Sequence, residues 1–410
     1  MTISAIFLRN FFFFYLAVIY VATLNVMPQI FFLEYSPANK AELMAFFLTL
    51  GTLSAIIGIL ISHKNIVNPE SVFKKKHIAQ IFILLIITFS ALFAVKNIVP
   101  YFLFFIVLKF ASSYLYNYLD QYFLKITPQS QTGTHVKASL LYTMIGSIAA
   151  PFYLSFFYSN IILNIAVFSA IGIFSMFFAM RNITKNFPNQ SYKKDHVSQE
   201  PLKTGDWLFI TYSAVIYIIV ITFSSLVIYF VQDYYHLENA ETKGGILIGF
   251  TSVISAVSIF SAFFFKKPIL TTKINQHIEA KLFPFFSNLF VIFLLLFSVI
   301  MFYFKLSDSF IYLIFLSIPT GIGYGLFLNS SRNYASSVSM QLNKQGLLSI
   351  YNNLINYGAL LSFGIIFLIS FLSKHLSFDF YAIILKINIG LVIVAAFIFL
   401  LTTLSIYKFR

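Results

Sequence analysis

The 410-residue chain contains no cysteine. It therefore forms no disulfide, offers no thiolate to a metal and has no cysteine nucleophile. Charge is the second shortage. Only 10% of the residues are Asp, Glu, Lys or Arg, where a water-soluble domain carries roughly 25%. A surface this poor in charge cannot be wetted throughout, so much of it must face lipid. Acids are scarcer than bases, 13 against 27, and none of them stands in the middle of a long apolar run. The seven His fall in loops or at the ends of such runs. Acid–base or metal chemistry inside a membrane needs clusters of these side chains, so the chain is not expected to be an enzyme, and neither a metal nor another cofactor is expected. No nucleotide-binding motif and no sizeable water-soluble domain is apparent, so any work the protein does would draw on gradients.

Apolar residues fill the space that charge leaves. They make up 59% of the chain, including 53 Phe, and mean hydropathy is +0.87. Aromatics scattered singly through every apolar run suit a lipid-facing shell. The net charge of +14 sits in short basic runs between apolar stretches, as anionic head groups and insertion topology require. No nucleic-acid partner is expected; lipid is.

A helix needs about 20 apolar residues to cross the hydrocarbon core. Twelve such runs can be read, at about 10–33, 41–61, 77–95, 98–121, 138–158, 161–180, 207–231, 245–265, 283–304, 309–330, 346–371 and 381–405. Arg9 precedes the first, which is too long for the core of a cleaved signal peptide. Links such as Tyr158-Ser159-Asn160 and Lys305-Leu306-Ser307-Asp308 force antiparallel neighbours. With twelve crossings, the side that holds both termini collects twenty Lys and Arg, and the other side five. That bias places both termini in the cytoplasm. The compact chain points to a prokaryotic inner membrane.

The longest connection, Arg181 to Asp206, is polar and holds Pro188, Asn189, Gln190 and Ser191. It divides the chain into an N-terminal six-helix bundle (1–180), a cytoplasmic linker (181–206) and a C-terminal six-helix bundle (207–410). A faint repeat accompanies the division. Lys137-Ala-Ser-Leu-Leu141 opens the fifth run and Lys344-Gln-Gly-Leu-Leu348 opens the eleventh.

Several short patterns carry a family resemblance. Gly58-Ile-Leu60-Ile-Ser62-His63-Lys-Asn65 follows the second run, Lys109-Phe-Ala-Ser112-Ser113 lies in the fourth, and Gly146-Ser-Ile-Ala-Ala150-Pro151 in the fifth. Gly346-Leu-Leu-Ser-Ile-Tyr-Asn352-Asn353-Leu-Ile-Asn356-Tyr-Gly358 opens the eleventh. Together with the six-plus-six layout these resemble the major facilitator superfamily. The first keeps the Gly and Leu of the family's Gly-x-Leu-x-Asp-Arg-x-Gly pattern without its acid and Arg. The third is one small residue away from the Gly-x-x-x-Gly-Pro of proton-exchanging drug exporters. The resemblance implies an all-α integral membrane fold of two pseudo-symmetric six-helix bundles and a secondary active transporter working by alternating access. It leans to efflux, by antiport, as a monomer. Gly58, Gly146, Ala150 and Pro151 would then serve gating and close helix packing.

Charge in mid-membrane is expensive and usually faces an internal cavity. Lys109 stands near the middle of its run, and Ser113, Tyr116 and Asp120 follow it on one helical face. About 16 Å of helix separates Lys109 from Asp120, so the two do not pair directly. The stripe reads as a substrate-binding lining, and an internal ammonium favours an anionic or amphiphilic solute. Lys109 could equally be a structural charge held by carbonyls. Asn25, ahead of Pro28, and Asn353 and Asn356 either bind substrate or hold helices together. Tyr217, and Tyr324 within Gly321-Ile-Gly323-Tyr-Gly325, are further lining candidates, and the glycine spacing there reads as close helix packing. Lys386 is read as reaching back to the interface. Asp120 is the candidate for proton coupling, with the proton as coupling ion. Uptake of a nutrient or siderophore, a lipid-linked-sugar flippase of another fold and a membrane-embedded enzyme are the competing readings.

Overall fold

The computed structural model describes residues 3–67, 75–127, 132–181, 183, 202–264, 273–341 and 345–408. Most of the expected linker 181–206 therefore lies outside the described residues. Among those described, every regular element is a helix, and twelve of the helices are long and apolar enough to cross a membrane. In hydrocarbon a backbone amide has no water to turn to, so a run that satisfies all of its own hydrogen bonds is the form available to each crossing.

The first span runs from Ile6 to Tyr35, starting earlier than hydropathy suggests, because Arg9 lies inside the helical path and is fully buried. A π turn, Ala22–Val26, interrupts it. Pro28 lies just beyond, and a proline cannot donate to the carbonyl four residues back. One extra residue in the turn absorbs that mismatch. The side chain of Gln29 caps the carbonyl of Asn25. The other long helices of the first half are Lys40–Val67, Lys75–Ala94, Ile98–Ile126, Thr132–Phe157 and Ile161–Arg181. In the second half they are Thr204–Ser224, Ala240–Phe264, Lys273–Phe304, Phe310–Gln341, Gln345–Leu376 and Phe380–Lys408. The seventh starts with Asp206 in its first turn, whose carboxylate accepts from the Lys203 amide at 2.8 Å. This gives the helix N-terminus both a cap and a matching charge. A second π turn, Phe230–Tyr234, follows the seventh span.

The chain forms two compact units, residues 1–192 with 241–249, and residues 193–240 with 250–410. In the first, the first span packs on the fifth and sixth, and the fourth packs on the second and third, with the third also against the sixth. In the second, the seventh packs on the eleventh and twelfth, the ninth on the tenth and twelfth. Adding six to four of the five pairs in the first set, all but the second with the fourth, gives the second set.

Glycines explain how the pairs come so close. A side chain at Gly58 would meet the Phe110 carbonyl oxygen of the fourth span at 2.6 Å. One at Gly146 would meet the Phe14 carbonyl oxygen of the first at 2.5 Å. Gly358, on the eleventh span, lies in the same way against Ala214 and Tyr217 of the seventh. Gly321 and Gly325 seat the tenth span on Thr251, Ile254 and Ser255 of the eighth, where the Ser255 hydroxyl donates to the Gly321 carbonyl at 2.9 Å. The Gly-x-Gly-x-Gly stretch is a helix-packing device. Ala150 and Pro151 are buried within the fifth helix.

Large side chains stud the outward faces, with Ile162, Phe174, Phe293 and Leu404 among the exposed. In the first span 83% of the apolar window is buried, in the sixth only 22%. The first is thus a core helix and the sixth a lipid-facing one. Because overpacking a tight contact costs about 1–3 kcal/mol, Gly58→Val and Gly146→Val should each lower the apparent Tm of the detergent-purified protein. Gly364→Ala, where nothing lies within 4 Å, should leave it unchanged. Equal melting of all three variants would show that the close approaches carry no packing constraint.

Candidate functional site

Lys109 lies deep in the fourth span and only 6% of it is exposed. Its ammonium sits 5.1 Å from the centre of the Tyr20 ring and 5.5 Å from that of Phe105. Among the described residues it makes no ion pair with a carboxylate. Ring faces attract a cation through their quadrupole, by about 0.5–2 kcal/mol, and carry no net charge. Lys109 is thus held in place by rings, with no counter-charge among the described residues. Asn25 lies on the same helix as Tyr20, five residues on, within the first π turn. There the extra residue turns it off the regular helical track.

The expected stripe along the fourth span grades from buried to open. Ser113 and Asp120 are half-buried, and Tyr116 is 43% exposed with its ring edge-on to Phe13 at 5.4 Å. Asn117, beside the stripe, donates to the Ser62 hydroxyl at 2.5 Å and ties the fourth span to the second.

Asp120 has a partner that the sequence did not announce. Its Oδ1 lies 3.3 Å from Nε2 of His135, on the first turn of the fifth helix. Nδ1 of the same ring lies 3.0 Å from an Arg9 nitrogen, and that nitrogen also donates to the Thr127 hydroxyl at 2.8 Å. The Asn10 amide donates to the His135 carbonyl at 3.3 Å, and the Arg9 guanidinium lies 4.7 Å from the centre of the Phe123 ring. Arg9 and His135 are fully buried. From sequence, Arg9 was a flanking charge and His135 a loop residue. The one available signal was the adjacent pair Arg9-Asn10 at the mouth of a Phe run, two polar groups where one flank would do.

In the second unit the Tyr351 hydroxyl is the hub. It lies 2.6 Å from that of Ser331 and 3.4 Å from that of Tyr217, joining the seventh, tenth and eleventh spans. A neighbouring set joins Tyr212 and Ser330, whose hydroxyls donate to the Asn288 side-chain oxygen Oδ1 at 3.2 and 3.1 Å. Of the sequence candidates, Tyr217 belongs to the hub and is buried, whereas Tyr324, Asn353 and Asn356 are half-buried. Lys386 is exposed, with its ammonium 5.8 Å from the Tyr303 ring centre.

The course of the helices is shared with solved proteins. The nucleoside transporter NupG superposes with a TM-score of 0.67 over 98% of this chain and 99% of its own, at 14% identity. The chain has the major facilitator fold. A bacterial homologue of the human lysosomal transporter Spinster, inward-facing and unoccupied, has the same fold, with a TM-score of 0.68 over 100% of this chain and 98% of its own at 11% identity. So does a POT family transporter in complex with 5-aminolevulinic acid, with a TM-score of 0.66 over 100% and 99% at 12% identity. No protein-family model and no curated protein matches the sequence. At these identities the major facilitator likeness speaks for the fold alone.

Tyr351→Phe deletes the hydroxyl that Ser331 and Tyr217 share. With each hydrogen bond worth about 1 kcal/mol, the variant should unfold more easily in detergent, by about 1–2 kcal/mol. An unchanged denaturation midpoint would remove Tyr351 as the hub.

Proposed function

We propose that the chain is a secondary active transporter, not an enzyme, moving a small anionic or amphiphilic solute by alternating access. The carrying observation is Lys109, a buried ammonium in mid-span whose neighbours are two aromatic rings. Burying a charge is costly unless something compensates it. Rings offset part of that cost, and a carboxylate- or phosphate-bearing solute would offset the remainder when it binds. Solutes of the fold relatives support small organic cargo: nucleosides for NupG, and 5-aminolevulinic acid, itself a carboxylate, for the POT transporter.

Ser113 and Tyr116 extend the Lys109 face, and Asn25 supplies an amide from the first span. Tyr217, Tyr324, Asn353 and Asn356 are the polar groups proposed from the second unit. The lean to efflux rests on Gly146-Ser-Ile-Ala-Ala150-Pro151, and the inner membrane with cytoplasmic termini on the Lys and Arg bias. Asp120 is the acid proposed to serve a proton-driven antiport.

Small-molecule profiling of cells and medium, comparing a deletion strain with an overproducer, tests direction and names the solute. An exporter's solute builds up inside the deletion strain and leaves its medium. A solute depleted inside and retained outside makes the protein an importer. Lys109→Gln should then weaken handling of that solute by about 10- to 100-fold, the worth of one charged hydrogen bond. Lys109→Arg should keep much of it. Equal transport by Lys109→Gln would sink the anion site. Asp120→Asn should alter the pH dependence of transport against a gradient, and an unchanged profile would release that residue from coupling.

A further inference from the structure

The cluster at the start of the first span contains an ordering that its distances impose. A guanidinium has five N–H donors and no acceptor. The Arg9 nitrogen that lies 3.0 Å from His135 Nδ1 must therefore donate, and Nδ1 must be the unprotonated, accepting nitrogen. The ring's proton is then on Nε2, which points at the Asp120 carboxylate 3.3 Å away. In this arrangement His135 is neutral and relays between a cation and an anion.

A second proton does not fit the arrangement. Taken up from water, it would land on Nδ1 while Nε2 kept its own, and the imidazole would become imidazolium. Two N–H groups would then face each other where one hydrogen bond had been. Arg9 would have to release the ring, and His135 would form a full ion pair with Asp120. Histidine is the side chain whose charge ordinarily changes between about pH 5 and 8.

The other groups around the ring leave this logic intact. From the first span come Arg9, Asn10 and Phe13, from the fourth Asp120 and Phe123, and just past its end Thr127. Tyr122 also lies within electrostatic range of Arg9. The side chains of Lys125 on the fourth helix and Lys137 on the fifth lie outside those described. Asp120 is half-buried and the ring fully buried.

We infer that His135 is a proton-binding site whose occupancy decides whether Arg9 ties the start of the first span to the fifth. Resting on the transporter reading above, it follows that the coupling proton is carried by His135, with Asp120 as its counter-charge, and that Arg9 reports the proton to the most enclosed helix of the unit.

Amide hydrogen exchange across residues 3–10 of the purified full chain in detergent, corrected for the intrinsic effect of pH, tests the site with protons as the only ligand. Between pH 8 and pH 5.5 the wild type should exchange about tenfold faster at the acid end, the equivalent of losing one charged hydrogen bond. His135→Gln should show one rate at both. Asp120→Asn, which keeps the imidazole and removes its counter-charge, should need a lower pH for the same acceleration. It therefore decides the matter if His135→Gln does not fold. A wild type indifferent to pH, or an Asp120→Asn response identical to wild type, overturns the proton site. For the solute found by profiling, His135→Gln should abolish the effect of pH on its distribution. A profile unchanged in that variant overturns the coupling role. If profiling yields no solute while the exchange response is present, the transporter reading fails and the proton site stands.

Discussion

Inside a hydrocarbon layer a polar group without a partner has no water to accept it, and this one penalty shapes every part of the protein. It makes each crossing a helix. It places serine and threonine hydroxyls back on their own helix carbonyls, as Thr52 does on Leu48 and Ser298 on Leu294. It also gathers the few strongly polar side chains into sets that satisfy one another. The Arg9–His135–Asp120 chain and the Tyr351 hub are such sets, one in each unit. Lys109 is held by rings that cannot cancel its charge, and the proposed function starts there for that reason.

Where polar contacts are few, close backbone approach has to supply the cohesion. Lipid tails are as apolar as Leu, so helices in a membrane gain little from hiding apolar surface from one another and depend on dispersion and fit. Glycines at 58, 146, 325 and 358 each put one helix against the backbone or Cβ of another. Gly146 and Gly358 do so at equivalent pairs, the fifth on the first and the eleventh on the seventh. The two halves share little sequence beyond a five-residue echo, yet they share this device.

The twelve crossings were legible because hydropathy over 20 residues is a bulk property that packing cannot override. Lys109 was legible because one charge in an apolar run stands out locally. The cluster around His135 was hidden for the opposite reason. Its members are far apart in the chain, and of them only Asp120 stands out in its own window: Arg9 reads as a flank, and Thr127 and His135 as loop residues. Only the helix beginning at Thr132 brings the ring into the unit. The same holds for Tyr351, one Tyr among 25, whose role depends on which two helices pass beside it.

The π turn at Ala22–Val26 sets an angular phase. Each residue advances an α-helix by about 100°, so one inserted residue rotates everything beyond it by about that much relative to an unbroken helix. Residues 12–21 and 27–35 therefore present faces that a single helical wheel would misalign, and Asn25 stands at the step between them. The first span is in effect two helices joined with a fixed offset. Deleting one residue from that turn would re-aim its outer half without changing a single side chain there.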